Sequence, residues 1–284
     1  MGVPTYVSLF SGIGGLDLAV QHYAGWRARA YVEWEAHSQA CLIQRFRDGL
    51  LTDAPIWDDA QTFDGRAFEG ATAVVAGFPC QPFSKGGRQR QENDPRNMWP
   101  ATIRIVEEVR PELVLLENVP RLRAPRRKRG DVLSTRRKGG DVINPSYFGR
   151  ILGDLANVGY DAVWGCVSSA DVGAPHGRQR LWVLAYSDRG RLEKLREAYD
   201  HHRRDARRDD DDGRRPVVVY PPPPRHVEAW GEWLREGGPL PGIRRGAARP
   251  PRWKQRLISA GNCVHPQVAA KALYALMGTA LENE

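Results

Sequence analysis

Cys80 stands between two prolines in "GFPCQPFSKGG", residues 77–87, behind an apolar run and ahead of a glycine pair. Pro79 and Pro82 fix φ on both sides of it, a constraint for which a packing cysteine has no use. At neutral pH a free thiol is only about 3% thiolate, but that fraction is a strong nucleophile. Glu117 closes a second apolar run, "ELVLLEN" at 112–118. A nucleophile and a carboxylic acid on neighbouring strand ends can add to a ring carbon while protonating a ring nitrogen. Glu33 ends a third run, "ARAYVE" at 28–33, nineteen residues after Gly14 of "FSGIGGLDLA". That spacing suits a carboxylate that accepts hydrogen bonds from ribose hydroxyls, and Trp34 beside it suits stacking on an adenine.

These residues need a scaffold that brings strand ends to one edge. Short β-branched or aromatic runs recur at 5–10, 28–33, 71–77, 112–118, 161–168 and 180–186. Stretches with helical apolar spacing lie between them at 16–24, 36–48, 97–109 and 147–158. Such alternation predicts an α/β fold, a parallel sheet wound with helices, whose ligands bind at the carboxyl ends of the strands. Gly12, Gly14 and Gly15 follow the first run, where a tight turn lets the backbone approach a ligand at a helix N-terminus. A nicotinamide-dinucleotide fingerprint would need glycine at position 17, where Asp17 stands, so that reading is disfavoured.

After Tyr186 the alternation stops. Residues 187–225 run through "HHRRDARRDDDDGRR" and "PPPP", polar or extended sequence that builds no packed core by itself. A helix-like "HVEAWGEWLRE" and a Gly/Pro/Arg segment to about 253 follow, and "PQVAAKALYALMG" at 266–278 restores an apolar helical face. The expected organisation is one catalytic domain from 1–186 plus 254–284, interrupted by a small, irregular insertion at 187–253.

The chain has 284 residues, with 42 Lys and Arg against 34 Asp and Glu, a formal net charge of +8 that favours polyanionic partners. "RLRAPRRKRGDVLSTRRKGG", residues 121–140, sets a crowd of basic residues around the single acid Asp131. Cys41, Cys80, Cys166 and Cys263 form no CxxC pair, which argues against a disulfide framework and against a zinc cluster. No metal is expected, and His201 and His202 read as part of a charged loop. The N-terminus lacks a signal-peptide pattern and no apolar run is long enough to span a bilayer, so a cytoplasmic protein is expected.

In order, "FSGIGGLDLA", "EWEAHSQACL", "GFPCQPFSKGG", "RNMWP", "LLENVP", "GAPHGRQRLWVLA" and "GNCVHPQVAAKA" resemble the motif series of the DNA (cytosine-5)-methyltransferases. The likeness runs from residue 6 to 277 apart from 121–145 and 187–253. It implies a Rossmann-like, S-adenosylmethionine-dependent methyltransferase sheet, with 187–253 as the target-recognition region, and S-adenosylhomocysteine as product. By the same resemblance, Cys80 adds to C6 of a flipped-out cytosine, Glu117 contacts N3 and the exocyclic amine, and Arg178 and Arg180 contact the base and support the catalytic loop. Phe10, Gly12, Gly14, Glu33, Trp34, Asn262 and Val264 match cofactor-binding positions, and Asp59, rather than Asp58, matches the acid that reads the adenine amino group. Ser84 falls in the loop segment that meets DNA.

Two departures stand out against the family pattern. His176 occupies a position that is usually glutamine, and the recognition region is short and rich in Pro, Arg and Asp. The basic loop behind Glu117 is the natural supplement, with Arg126, Arg127, Lys128 and Arg129 expected to contact phosphates. The expected partner is double-stranded DNA, met by a monomer without a membrane, and the sequence points to no particular restriction endonuclease. An RNA methylase of the family would carry a Cys-Phe-Thr triplet, which this chain lacks, and a free-nucleotide methylase would leave the basic excess unexplained.

Overall fold

The computed structural model describes residues 2–79, 97–123, 147–211 and 263–282, with backbone alone for 205–211. Seven strands, β1 Thr5–Leu9, β2 Arg27–Val32, β3 Ile56–Trp57, β4 Ala73–Ala76, β5 Leu113–Asn118, β6 Asp161–Ser168 and β7 Gln179–Tyr186, form one sheet in the order β3-β2-β1-β4-β5-β7-β6. Six α-helices accompany it among the described residues: α1 Gly15–Ala24, α2 Ala36–Arg47, α3 Trp99–Val109, α4 Tyr147–Asn157, α5 Arg189–Asp211 and α6 Pro266–Glu282. The fold is the expected Rossmann-like α/β arrangement. β3 was not expected, because two residues on a sheet edge carry no periodicity of their own.

Both faces of the sheet are covered, which is why its strands read as near-continuous apolar runs. Along β5, Leu113 and Leu115 point into a core shared with α1, α2, α5 and α6, while Val114 and Leu116 point into a core shared with α3 and α4. Along β7 the same alternation puts Trp182 and Leu184 on the first face and Leu181, Val183 and Ala185 on the second.

The sheet is not wholly parallel, as the sequence alternation predicted. β7 pairs antiparallel with both β5 and β6. Only about ten residues, with a 3₁₀ turn at Ser169–Val172, join β6 to β7, too few for the helical crossover that a parallel connection needs. β7 therefore folds back and fills the slot between β5 and β6. Its first residues, Gln179 and Arg180, then lie at the edge where β5 ends, with Asn118 opposite Leu181.

The chain after Tyr186, which sequence pattern gave no core of its own, begins with a helix that packs on this sheet. α5 extends the helical layer: Leu192, Leu195 and Tyr199 are buried in the core with α1 and α6. Tyr199 donates to the Ala270 carbonyl at 3.3 Å, Arg196 donates to the Tyr274 carbonyl at 3.0 Å, and the Arg196 guanidinium sits 3.6 Å from the Tyr274 ring centroid. Three apolar residues at helical spacing were hidden in a sequence otherwise dominated by charge, yet they suffice to dock one face.

Candidate active site

The turn between β1 and α1 is built on left-handed backbone. Phe10, Gly12 and Gly14 have φ of 54°, 56° and 80°. Glycine adopts this region freely and phenylalanine does so only under constraint. A Cβ on Gly12 would meet open space, so its glycine serves the backbone conformation. Ser11 N donates to Val32 O at 3.1 Å and Gly14 N to Ser11 O at 2.9 Å, which pins the turn to β2 and closes it ahead of the helix.

Glu33, at the end of β2, is buried and holds the same turn from the side. Its Oε2 accepts from Gly12 N and its Oε1 from Glu35 N, each at 2.7 Å. Burial pushes its carboxyl up, while these two N–H donors pull it back. A carboxylate offers about four acceptor positions, so both oxygens keep capacity for a ligand hydroxyl. Trp34 is 78% exposed beside it, leaving its indole face open for stacking. Asp59 takes Gln61 N on Oδ1 at 2.8 Å and starts a tight turn through Phe63, and Trp57, in β3, donates to Thr62 Oγ1 at 3.0 Å. The carboxyl ends of β1, β2 and β3 thus present a glycine turn, a carboxylate, an open indole and a second acid in one row.

The segment before α6 lies directly on this turn. A Cβ on Gly15 would stand 2.7 Å from Cys263 Sγ and would overlap the Val264 carbonyl oxygen, so only glycine fits there. Val264 is thereby placed against the start of α1. Charges at Arg178 and Glu117 act on the Cys263 thiol, whose pKa burial raises, so the same segment also faces the second group of residues.

That second group gathers at the ends of β4, β5 and β7. Glu117 is 8% exposed, and its Oε1 lies 2.8 Å from Arg180 Nε. Its Oε2 lies 3.5 Å from where a Cβ on Gly77 would stand, and Asn118 Nδ2 donates to Phe78 O at 3.1 Å. Burial pushes the Glu117 carboxyl up, with Arg180 first and Arg178 second opposing it. Arg178 is half-buried and its own pKa is lowered by burial and by Arg180, against the pull of Glu117. His176 is exposed beyond it and, with burial and Arg178, depresses His265. Burial thus favours the neutral carboxyl, and the two cations favour the carboxylate.

The family model for C-5 cytosine-specific DNA methylases matches residues 5–211, which takes in this whole sheet and its strand ends. This chain belongs to that family. Among its relatives, the chain is 29% identical over 185 residues to the type II methyltransferase M.NgoMIV of Neisseria gonorrhoeae, 64% of this chain and 51% of that protein. It is 25% identical over 183 residues to the type II methyltransferase M.NaeI of Lentzea aerocolonigenes, 64% of this chain and 40% of that one. A solved structure of the Entamoeba histolytica methyltransferase EhMeth aligns with 17% identity and a TM-score of 0.48, covering 66% of this chain and 54% of the other. The chain spans about half the length of the curated relatives it matches.

Of the expected site residues, the structure brings Glu117, Arg178 and Arg180 together and sets Phe10, Gly12, Gly14, Glu33, Trp34, Asp59 and Val264 along the neighbouring edge. Cys80, Ser84, Arg126, Arg127, Lys128, Arg129 and Asn262 lie outside the described residues. Two contributors were missed in the sequence: Gly15, as the contact point for Val264, and Asn118, as the tie to Phe78. The glycine pair at 14–15 was a visible signal for the first, and nothing in local pattern could have given the second. Among the described residues, no helix is long and apolar enough to cross a membrane, and no cluster of three or more His, Cys, Asp or Glu could hold a metal.

Proposed function

We propose that this chain is a DNA (cytosine-5)-methyltransferase that acts on a cytosine extruded from duplex DNA. The observation that carries the reading is the buried Glu117 carboxyl, paired with Arg180 and lying against Gly77, three residues before Cys80. An acid held there by burial against two cations can share a proton with N3 of a cytosine ring while a thiolate adds to C6. In that step the Cys80 S–C6 bond forms, the C5–C6 double bond opens, and N3 takes the proton. C5 then carries the electron pair for methylation, and loss of the C5 proton to a base, breakage of the S–C6 bond and return of the N3 proton to Glu117 restore the ring. The target must leave the base stack for C6 to be reached at all. Arg178 and Arg180 would hold Glu117 in orientation and face the base oxygen.

The residues along β1 to β3 fit S-adenosylmethionine. Open space over Gly12, left-handed glycine turns, free acceptor capacity on Glu33 and an exposed Trp34 are what a ribose and adenine require. When bound, that cofactor supplies the methyl group. Gly12, Gly14, Phe10, Val264 and Asn262 would enclose its amino-acid portion, Glu33 its ribose, and Trp34 and Asp59 its adenine. The basic segment from 121 to 140 would grip phosphates, and 187–253 would read the target sequence, its opening helix α5 docked on a catalytic body made of 1–186 and 254–284.

Transfer of labelled methyl groups to duplex DNA, tRNA and dCMP in parallel tests the substrate class, with duplex DNA the acceptor expected. Cys80→Ala should abolish transfer while leaving S-adenosylmethionine binding intact, and wild type should form a covalent adduct on DNA containing 5-fluorocytosine. Substantial turnover by the alanine variant would overturn the role given to Cys80.

A further inference from the structure

A chain of buried polar groups runs beneath the turn at Gly12–Gly14. Asp17, in the first turn of α1, is 0% exposed, and its Oδ1 accepts from the Tyr6 hydroxyl at 3.2 Å. Gln21 Nε2 donates to Tyr6 at 2.7 Å and to Tyr31 at 3.0 Å, and Tyr31 donates to the Thr52 carbonyl at 2.9 Å. On the other side the Ser8 hydroxyl faces Asp17 and is joined to the Ser11 hydroxyl, in the turn itself, at 2.8 Å.

Two buried atoms at this place have no hydrogen-bond partner among the described residues: Asp17 Oδ2 and Arg45 Nη1. Their charges attract one another, and Arg45 Nη1 comes within 3.5 Å of where a Cβ on Gly14 would be. Both charges also act on Cys263, in the segment laid across Gly15. The groups facing Asp17 are therefore Tyr6 and Ser8 from β1, Tyr31 from β2, Arg45 from α2 and Cys263 ahead of α6.

Burial lifts Asp17 from an ordinary 3.8 to about 6, against opposing hydrogen bonds from Ser8 and Tyr6 and the more distant pull of Arg45. A carboxyl whose pKa rises on folding favours the native state most when protonated. Its contribution to stability declines as pH rises from about 4 to about 6 and stays lost above that. At neutral pH the ionised acid therefore supports folding less than its protonated form would. Its charge is instead well placed to act on the turn: it draws Arg45 beneath Gly14 and, through Ser8, orients the hydroxyl of Ser11.

We propose that Asp17 is a positioning residue for the cofactor turn, its ionised carboxylate acting on Arg45 and Ser11 to hold Gly12–Gly14 in the shape that binds S-adenosylmethionine. The inference rests on the reading that this turn carries the cofactor. Calorimetric titration of S-adenosylmethionine into the full chain between pH 5 and 8, with thermal unfolding alongside, tests it in wild type, Asp17→Asn, Arg45→Met and the double variant. At pH 7.5 Asp17→Asn should bind about tenfold more weakly than wild type yet unfold at a higher temperature, and both differences should close near pH 5, where residue 17 is neutral in both proteins. Glu33 also titrates, but it is common to both proteins and cancels in their ratio. Arg45→Met should weaken binding as well, and the double variant should be no worse than the weaker single one. Equal affinities at pH 7.5, a gap that persists at pH 5, or a lower unfolding temperature for Asp17→Asn would each overturn the proposal. If wild type binds the cofactor at no pH, the reading of the turn itself fails, and this inference falls with it.

Discussion

Gly15 and Cys263 stand so close that a Cβ on the glycine would lie 2.7 Å from the cysteine sulfur, with the Val264 carbonyl closer still. The start of α1 and the segment leading into α6 are thus one surface, made contiguous by the absence of a side chain. Gly15→Ala should push 263–264 away, cost about 1–3 kcal/mol in denaturant unfolding and weaken S-adenosylmethionine binding at least several-fold. Gly153→Ala in α4, where a Cβ meets open space, is the control and should be neutral or stabilising by up to about 1 kcal/mol. Normal binding by Gly15→Ala would separate this contact from the cofactor turn.

Glu117→Gln preserves shape and loses the acid, so turnover should fall by about 10²-fold or more, the usual range for a positioned general acid. In wild type, activity that needs protonated Glu117 should decline as pH rises through its raised pKa. Arg180→Met removes the first of the two cations that oppose burial, so the falling limb of the residual activity should move to higher pH. An unmoved limb in the pH–rate profile of single-turnover methylation would mean that another group sets it.

Neutralising Arg126, Arg127, Lys128 and Arg129 together should weaken DNA binding at every sequence and flatten its salt dependence, each lost phosphate contact removing about 0.9 from the slope of log K against log salt. Methyl transfer at saturating DNA should stay near wild type. An unchanged slope would mark the segment as a solvated charge run, and a changed set of methylated sites would mean that it reads bases.

Leu195→Ala tests whether α5 belongs to the core. Leu195 is 3% exposed, between α1 and α6, so its truncation should cost about 2–5 kcal/mol in equilibrium unfolding. A loss under about 1 kcal/mol would mean that α5 is not part of the core.

The sequence by itself determined where the strands and helices lie, β3 and α5 apart, because apolar period and run length report how much of a segment is covered. It also determined the glycine turn, Glu33 and Glu117, since each ends an apolar run at the edge where such sheets bind ligands. What periodicity cannot carry is direction. "QRLWVLAY" reads as a buried strand whichever way it runs, and only tertiary pairing turned β7 antiparallel. Had it run parallel, Arg180 would lie at the far edge of the sheet from Glu117. Arg178 and Arg180 lie at the start of their strand, whereas Glu117 lies at the end of its own, so their meeting depends on that reversal. The same holds for Asp17, Arg45 and Cys263: each is unremarked in its local segment, and only the packing of α1 against α2 and the segment before α6 buries their charges together.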